Sequence, residues 1–321
     1  MDKLIELLAD GDFHGGDELG AQLSVSRAAV WKQVQKLEQL GLEVLSVKGK
    51  GYRLVAPLEL LSEESIRMQM QPAAARLLRG LQVFSQVAST NDVASSLAGK
   101  SSGSGWVILA EQQTAGRGRR GRHWISPFGC NLYLSCVWEF FQGAAALEGL
   151  SLATGIAVAR AFESLGIQGA KLKWPNDILI GNAKVSGILL EMTGDPSGRC
   201  QVVVGVGVNH KLPLAAAAGI DQPWARVEDV HPGLSRNRLA AEVISQLLIM
   251  LETFQLHGFS AFREQWESLD QYRGAEVVIR TGADDIVGVA DGVDATGGLR
   301  LLTDRGVQIM KGGEMSLRPR L

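Results

Sequence analysis

The segment Gly116-Arg-Gly-Arg-Arg-Gly-Arg122 packs Arg117, Arg119, Arg120 and Arg122 between glycines. Glycines let a backbone approach a ligand closely, and guanidinium groups meet phosphate or carboxylate oxygens with paired hydrogen bonds. The turn therefore suits a phosphate or a carboxylate; a solvated basic turn or a second nucleic-acid patch is the alternative. It contains GxGxxG, but a dinucleotide-binding fold needs a helix to follow. Here Pro127 and Gly129 come next, and Leu132, Leu134, Cys136 and Trp138 then alternate as a strand. A protein-kinase glycine loop does lie between strands, yet no VAIK, HRD or DFG element follows.

Other segments offer different chemistry. Ser89-Thr90-Asn91, between a strand and a helix, is a cluster of neutral donors and acceptors suited to a urea or amide, or else an ordinary helix cap. Lys184 begins a strand after the Gly181-Asn182 turn, as a site cation or as a solubility residue. In Val202–Asn209, Gly205, Gly207 and Asn209 share one strand face, and a face without side chains lets a ligand or another backbone lie flat on it. Gly99-Lys100-Ser101 imitates the end of a P-loop and, with Gly103, a nucleophile elbow; it lacks the context of either and is expected to be a mobile linker. The five histidines form no HExxH or HxxxH pair, so no protein-held metal is expected.

Positioning these residues requires strands over VFSQVA and 106–113, and a helix from Leu147 to Leu165 with Leu150, Ala153, Ala157 and Ala161 on one stripe. A strand follows over Ala170–Trp174, and Asn176-Asp177 turns the chain after Pro175. A hairpin then joins 178–180 to 184–192, and a helix capped by Ser235 runs to about Leu256. From Arg273 onward, short strands split by glycine turns predict a small β-barrel.

The first sixty residues differ. Two short helices precede a helix from Arg27 to Leu40, capped by Ser26 and closed by Gly41, with Val30, Val34 and Leu37 on its buried face. LEVLSVKGKGYRLV then reads as a hairpin. Residues 2–18 hold six acids and one lysine, whereas 27–53 hold six Lys or Arg and only Glu38 and Glu43. Helix, helix, turn, helix and basic hairpin is winged-helix architecture, with Ser26, Arg27, Lys32, Lys36, Lys48 and Lys50 as candidate DNA contacts. A helical docking module with a solvated basic face is the alternative.

At 321 residues and 46% hydrophobic composition the chain can form two or three domains, divided here as 1–61, 62–271 and 272–321. The net charge of −2 excludes a nucleic-acid binder that is basic throughout. Three cysteines without a CxxC pair fit a reducing compartment. No signal peptide and no run of about 18 apolar residues is seen, which predicts a cytoplasmic protein away from membranes.

Together STN, EQQTAGRGRRGRHWISP, KWPND, KVSGILLE and GVGVN, in this order behind a winged helix, closely resemble the bifunctional biotin protein ligase and biotin operon repressor family. The resemblance covers nearly the whole chain; the arginine-glycine stretch with KWPND is highly specific, while STN or GVGVN alone would be weak. It implies an α+β protein: a winged helix-turn-helix, a central mixed α/β catalytic domain of the class II synthetase-like type, and a C-terminal SH3-like β-barrel that helps bind ATP and the acceptor protein. By the resemblance, Ser89, Thr90, Asn91 and Gln113 hydrogen-bond the biotin ureido ring, and Arg117, Gly118 and Arg119 fold over biotin and the adenylate. Lys184 contacts the biotin carboxylate and the α-phosphate, and Lys184 and Arg119 carry the catalysis. Arg122 and Asn176 lie around the nucleotide phosphates and Mg2+, and Asn209 and Trp224 border the nucleotide. Ala88 replaces an acidic residue frequent in the family before STN. The implied substrates are ATP and biotin, and the implied partners are biotin carboxyl carrier protein of acetyl-CoA carboxylase, biotin operator DNA and a second copy of the chain on binding biotinyl-5'-AMP. A lipoate ligase, disfavoured by the DNA module and the polar STN and Gln113 set, and a biotin-sensing repressor without catalysis are the rival readings.

Overall fold

A computed structural model describes residues 2–98, 104–194, 198–281, 285–312 and 316–319. The segment 99–103, expected as a linker, lies outside the described residues, as does most of the turn at 282–285. Helices α1 (Asp2–Leu8), α2 (Gly16–Leu23) and α3 (Arg27–Gln39) precede a hairpin of β1 (Val44–Val47) and β2 (Gly51–Leu54). Ser26 caps α3 by accepting from Ala29 N at 3.3 Å, and Val30, Val34 and Leu37 join Leu4, Ile5, Leu8 and Leu19 in one core. His14 and Tyr52 exchange backbone hydrogen bonds of 2.9 Å, so a Cβ at Gly51, whose φ is +101°, would lie 1.9 Å from His14 O. The glycine is thus required where the wing leaves the helices, and the unit is the winged helix expected.

Phe128, just past the arginine turn, is buried in that same core. The connector is fastened as well. The Glu59 carboxylate accepts from Ser235 Oγ and Arg236 N, both at 2.6 Å, at the start of the longest helix, while Leu61 N donates to Glu111 at 2.6 Å. The Arg236 guanidinium, 1% exposed, donates to the Glu59 carbonyl and the Glu111 carboxylate, both at 2.5 Å.

Next come α4 (Glu63–Gln69), α5 (Pro72–Ala75), β3 (Gly80–Val87), α6 (Thr90–Ala98), β4 (Trp106–Gln113) and β5 (Leu132–Phe140). Helix α7 (Leu150–Ser164) starts later than the periodicity predicts, because Gly149 at φ +81° separates it from a short turn over Ala144–Leu147. Strands β6 (Ala170–Lys173), β7 (Asp177–Ile180), β8 (Ala183–Gly194) and β9 (Cys200–Val208) precede α8 (Val227–Val230), α9 (Arg236–His257) and α10 (Arg263–Leu269).

One seven-stranded sheet runs β3-β4-β5-β9-β8-β7-β6, parallel only between β3 and β4. The period of two decides what each face meets. Val202, Val204, Val206 and Val208 of β9 join Leu132, Leu134 and Cys136 of β5 in the core under α7 and α9, whereas Val137 and Val203 face α6. Helix α9, at 22 residues, is the one described helix long and apolar enough to cross a membrane; 61% of its apolar window is buried within the protein, which makes it a core helix here.

The C-terminal unit comprises β10 (Glu276–Arg280), β11 (Asp285–Val293), β12 (Leu299–Thr303), β13 (Gly306–Met310) and β14 (Ser316–Pro319). The expected barrel is not closed: the strand order is β13-β12-β11-β10-β14, and among the described residues the two edge strands do not pair. Val277, Ile279, Leu299 and Leu301 are continuous with the central core, so the sheet buries its apolar face against the neighbouring domain rather than against itself. Trp174 Nε1 donates to Gly297 O at 3.1 Å and anchors this unit beside the KWPND turn.

Candidate active site

A single cleft opens on the α6 side of the large sheet, and every central site residue expected from the sequence lines it, from Ser89 to Trp224. Its floor is made by the glycines of β8 and β9. A Cβ at Gly205 would lie 2.5 Å from Asn91 Oδ1, and one at Gly207 would lie 2.5 Å from the Trp124 ring. The bare strand face is therefore covered by an amide and an indole of this chain, which only glycine allows to approach so closely.

At one end the polar groups are neutral and tied together. Ser89 immediately precedes α6, its carbonyl accepting from Asp92 N and Val93 N. Thr90 N and Oγ1 donate to Gln113 Oε1 at 2.9 and 3.1 Å, and Gln113 Nε2 donates to Ser126 Oγ at 3.1 Å. Ser135 Oγ lies 2.7 Å from Thr90 Oγ1 and 2.6 Å from Asn91 Oδ1, and its one proton serves either. Asn91 Nδ2 donates to Glu191 at 2.6 Å. These residues are nearly buried, so the set is preorganised: its hydrogen-bonding directions are fixed by protein rather than water.

Cations close the other side. The arginine turn folds back on itself, with Gly118 N donating to Arg122 O at 2.7 Å and Arg120 and Gly121 in the left-handed region at φ +60° and +69°. Arg117 clamps Asp92 with two hydrogen bonds of 2.9 and 2.6 Å. The guanidinium holds the Asp92 carboxyl below the usual carboxylate range, and the carboxylate in turn raises the Arg117 pKa. Arg119 donates to Asn176 Oδ1 at 2.9 Å, and Asn176 Nδ2 donates to Ile188 O at 2.9 Å, which pins the turn to the KWPND segment. Burial, together with neighbouring Arg120 and Arg122, makes the Arg119 proton easier to lose than usual.

Lys184 Nζ pairs with Asp177 Oδ1 at 2.6 Å and sits 5.3 Å from the Trp124 ring centroid. Its backbone bridges to Trp224, and Asn209 Nδ2 donates to its carbonyl at 3.4 Å. Arg122 reaches the cleft from the turn. The six candidate DNA contacts lie apart, on the winged helix: Ser26 and Arg27 at the start of α3, Lys32 and Lys36 exposed along it, and Lys48 and Lys50 exposed at the wing tip. The Lys50 ammonium lies 5.7 Å from the Phe13 ring centroid.

Several lining or neighbouring groups were not singled out from the sequence. Ser135 is a polar break in an apolar strand, and Lys173 belongs to KWPND, so both carried a signal. Trp124 and Glu191 fall within the segments EQQTAGRGRRGRHWISP and KVSGILLE without being singled out, whereas Asp92 and Arg318 carried no signal, because their positions depend on packing between segments far apart in the chain.

Among the described residues no cluster of three or more His, Cys, Asp or Glu could hold a metal. Asp177, the acid lining the cleft, is engaged by Lys184. A divalent ion would therefore have to arrive on a polyanionic ligand, with Asn176 and Asp177 as the side-chain oxygens at hand.

Comparison with known proteins gives the same outline. Residues 83–209 match the biotin/lipoate A/B protein ligase family, 1–53 an HTH domain and 274–318 the biotin protein ligase C-terminal domain. The bifunctional ligase/repressor BirA of Escherichia coli (strain K12) is 40% identical over 316 residues, covering 98% of this chain and 96% of that protein. Its namesake from Bacillus subtilis (strain 168) is 32% identical over 326 residues, covering 98% and 97%. Among solved structures, the biotin protein ligase of Aquifex aeolicus in complex with biotin and ATP superposes with a TM-score of 0.64 at 29% identity, covering 76% of this chain and 100% of that one. With a winged helix, a cleft that grades from neutral donors to cations, and near full-length similarity of this kind, the chain belongs to the biotin protein ligase family, among its bifunctional ligase/repressor members.

Proposed function

We propose that the protein is an ATP-dependent biotin protein ligase that forms biotinyl-5'-AMP and passes the biotin to a lysine of biotin carboxyl carrier protein of acetyl-CoA carboxylase. With biotinyl-5'-AMP bound it pairs with a second copy and represses biotin synthesis genes at the biotin operator. In this reading residues 1–61 bind DNA, 62–271 carry the chemistry, and 272–321 help bind ATP and the acceptor. The cytoplasm, where ATP and reduced thiols are kept, fits Cys130, Cys136 and Cys200 as thiols outside any disulfide among the described residues.

The observation that carries the proposal is the sequence of chemistries along one cleft. The bonded set of Ser89, Thr90, Asn91 and Gln113 offers directional partners to the ureido ring, whose amide-like groups are uncharged. Lys184, one strand further, meets the carboxylate. A carboxylate oxygen attacks the α-phosphorus of ATP, the bond to the bridging oxygen breaks, and pyrophosphate leaves. Two anions must approach, so Lys184, Arg119 and Arg122 offset the repulsion and stabilise charge on the phosphoryl oxygens. Mg2+ bound with ATP neutralises part of the charge on the leaving pyrophosphate. The acceptor amine then attacks the anhydride carbonyl, the carbon–oxygen bond to AMP breaks, and the amine gives up a proton. Arg117, Gly118 and Arg119 cover the adenylate meanwhile and keep water out.

Biotin-dependent exchange of labelled pyrophosphate into ATP tests the reading. Label should enter ATP with biotin and stay out with lipoate; no exchange with either would leave a repressor without catalysis.

Arg119→Gly breaks the link from the turn to Asn176. Removing a charge-assisted hydrogen bond of roughly 1.5–3 kcal/mol should speed adenylate release by about 10- to 100-fold. Biotin should then appear on bystander proteins mixed with the variant; tight adenylate retention in a stopped-flow chase would refute the role. For DNA, Lys48→Ala and Lys50→Ala should each lower the slope of log affinity against log salt by about 1 and weaken all sequences alike. Anisotropy titrations at several salt concentrations read this, and an unchanged slope would take the wing out of the DNA interface.

A further inference from the structure

Strands β3 and β4 are parallel, so their C-terminal ends lie side by side and the segments that follow them leave from the same end of the sheet. The pairing runs on past both strands, with Thr114 N donating to Val87 O at 2.9 Å and Ala115 N to Ala88 O at 2.8 Å. From there one segment enters α6 and the other the arginine turn, which brings Asp92, in the first turn of α6, to Arg117. Both Asp92 oxygens accept from the guanidinium, at 2.9 and 2.6 Å, the paired geometry in which an ion pair near the surface is strongest. The start of a helix also favours a carboxylate. The far end of the turn is tied to the opposite bank of the cleft by Arg119 on Asn176. The turn is thus strapped across the cleft from α6 to the KWPND segment, and each post of the strap is a side chain of this protein.

The charge of Arg117 is already answered by acids of the protein. Besides Asp92 it meets Glu191 of β8 at 3.4 Å, and Glu191 in turn accepts from Asn91 Nδ2 at 2.6 Å. Two carboxylates around one guanidinium leave the cluster negative overall, so a further anion brought to Arg117 would have to displace one acid or be repelled by both. The clamp is also continuous with the neutral pocket. Asn91 precedes Asp92 in the chain, rests on Gly205 and shares Glu191 with Arg117. The Arg117 side chain is therefore placed to hold a position, and the position it holds is set by the helix that carries the neutral donors.

We propose that Asp92 is a positioning residue of the arginine turn: it holds the Arg117 guanidinium as an anchor, so that the backbone of Arg117, Gly118 and Arg119 lies over the adenylate while the guanidinium itself binds no ligand anion. The role over the adenylate rests on the ligase reading above. The arginines of the turn then do different work. Arg117 fastens the strap to α6, and Arg119 and Arg122 are left to meet the reacting anions. Asp92 acts through Arg117.

A double-variant cycle on the full-length protein tests this, with Asp92→Asn, Arg117→Gln, the two combined, and Asp92→Glu as the conservative change. Release of biotinyl-5'-AMP is followed in a stopped-flow chase, and tryptic cleavage after Arg119, Arg120 and Arg122 is followed without substrates. The Arg117 and Asp92 side chains are 37% and 50% exposed, so solvent weakens the clamp. Asp92→Asn and Arg117→Gln should each release the adenylate about 3- to 10-fold faster, below the full effect of a buried charge-assisted bond, and speed cleavage of the turn by a similar factor. The combined variant should be no faster than either alone, because both substitutions break one clamp. Asp92→Glu, which keeps the charge, should recover most of the loss in both assays. Unchanged or slower release from Asp92→Asn, additive effects in the combined variant, or equal losses in Asp92→Glu and Asp92→Asn would overturn the anchor, while biotin-dependent pyrophosphate exchange by the unaltered protein would leave the ligase reading standing. Absence of that exchange would overturn the ligase reading and the role over the adenylate, and the tryptic rates would still decide whether Asp92 holds the turn.

Discussion

Lys184→Ala should slow adenylate formation by about 10²–10³-fold, the scale of removing one positioned electrostatic donor. The ammonium is 16% exposed and lies 2.6 Å from Asp177, itself 14% exposed, so its loss does more than remove a favourable contact. It leaves a half-dry carboxylate facing the place where two anions must meet, and this repulsion should put the effect near the upper end of that range. Adding Asp177→Asn to the alanine variant removes the stranded charge and should recover part of the rate. Biotin-dependent pyrophosphate exchange measures both proteins. A rate in the single variant within about threefold of the unaltered protein would take Lys184 out of the mechanism.

Arg236→Met should destabilise the fold by about 3–5 kcal/mol, because breaking a buried pair from one side strands the other charge. Glu111 is 4% exposed and among the described residues its carboxylate would keep only Leu61 N as a partner, and the Glu59 carbonyl would lose its guanidinium. Urea unfolding followed by far-UV circular dichroism reads the loss. The double variant Arg236→Met, Glu111→Gln should recover much of it, since a neutral amide oxygen still accepts from Leu61 N at little desolvation cost. Strict additivity of the two substitutions would show that the pair is not coupled. Because the network fastens the connector at Glu59–Leu61 to β4 and to the start of α9, the single variant should also loosen the winged helix from the catalytic domain, seen as faster proteolysis near Pro57.

Both expectations concern charges in low-dielectric surroundings, and they differ in how visible they are in the sequence. Lys184 can be found by its place after the Gly181-Asn182 turn together with the motifs that resemble the family. Arg236 looks like an ordinary first-turn residue of an amphipathic helix, and nothing local says that Glu111, far upstream in the chain, is its partner. The same division holds in the cleft. Ser89, Thr90 and Asn91 are legible because a polar tripeptide at a strand-to-helix junction has few roles, whereas Trp124 on Gly207 and Asp92 under Arg117 are contacts between remote segments.

The order of the elements, the basic wing, the arginine turn and the glycines that clear one strand face were all determined by the sequence alone, since they follow from short-range periodicity, turn chemistry and charge. The C-terminal strands show where that reasoning ends: short strands split by glycine turns were readable, but the sheet stays open because its apolar face meets the neighbouring core, and a local pattern cannot say which surface will cover a strand. Only the tertiary structure decided which charges are paired, with Asp177 given to Lys184, Asp92 to Arg117 and Lys173 left without either. Pairing depends on distances of a few ångströms between groups on different strands and loops, and those distances exist only once the sheet order is set.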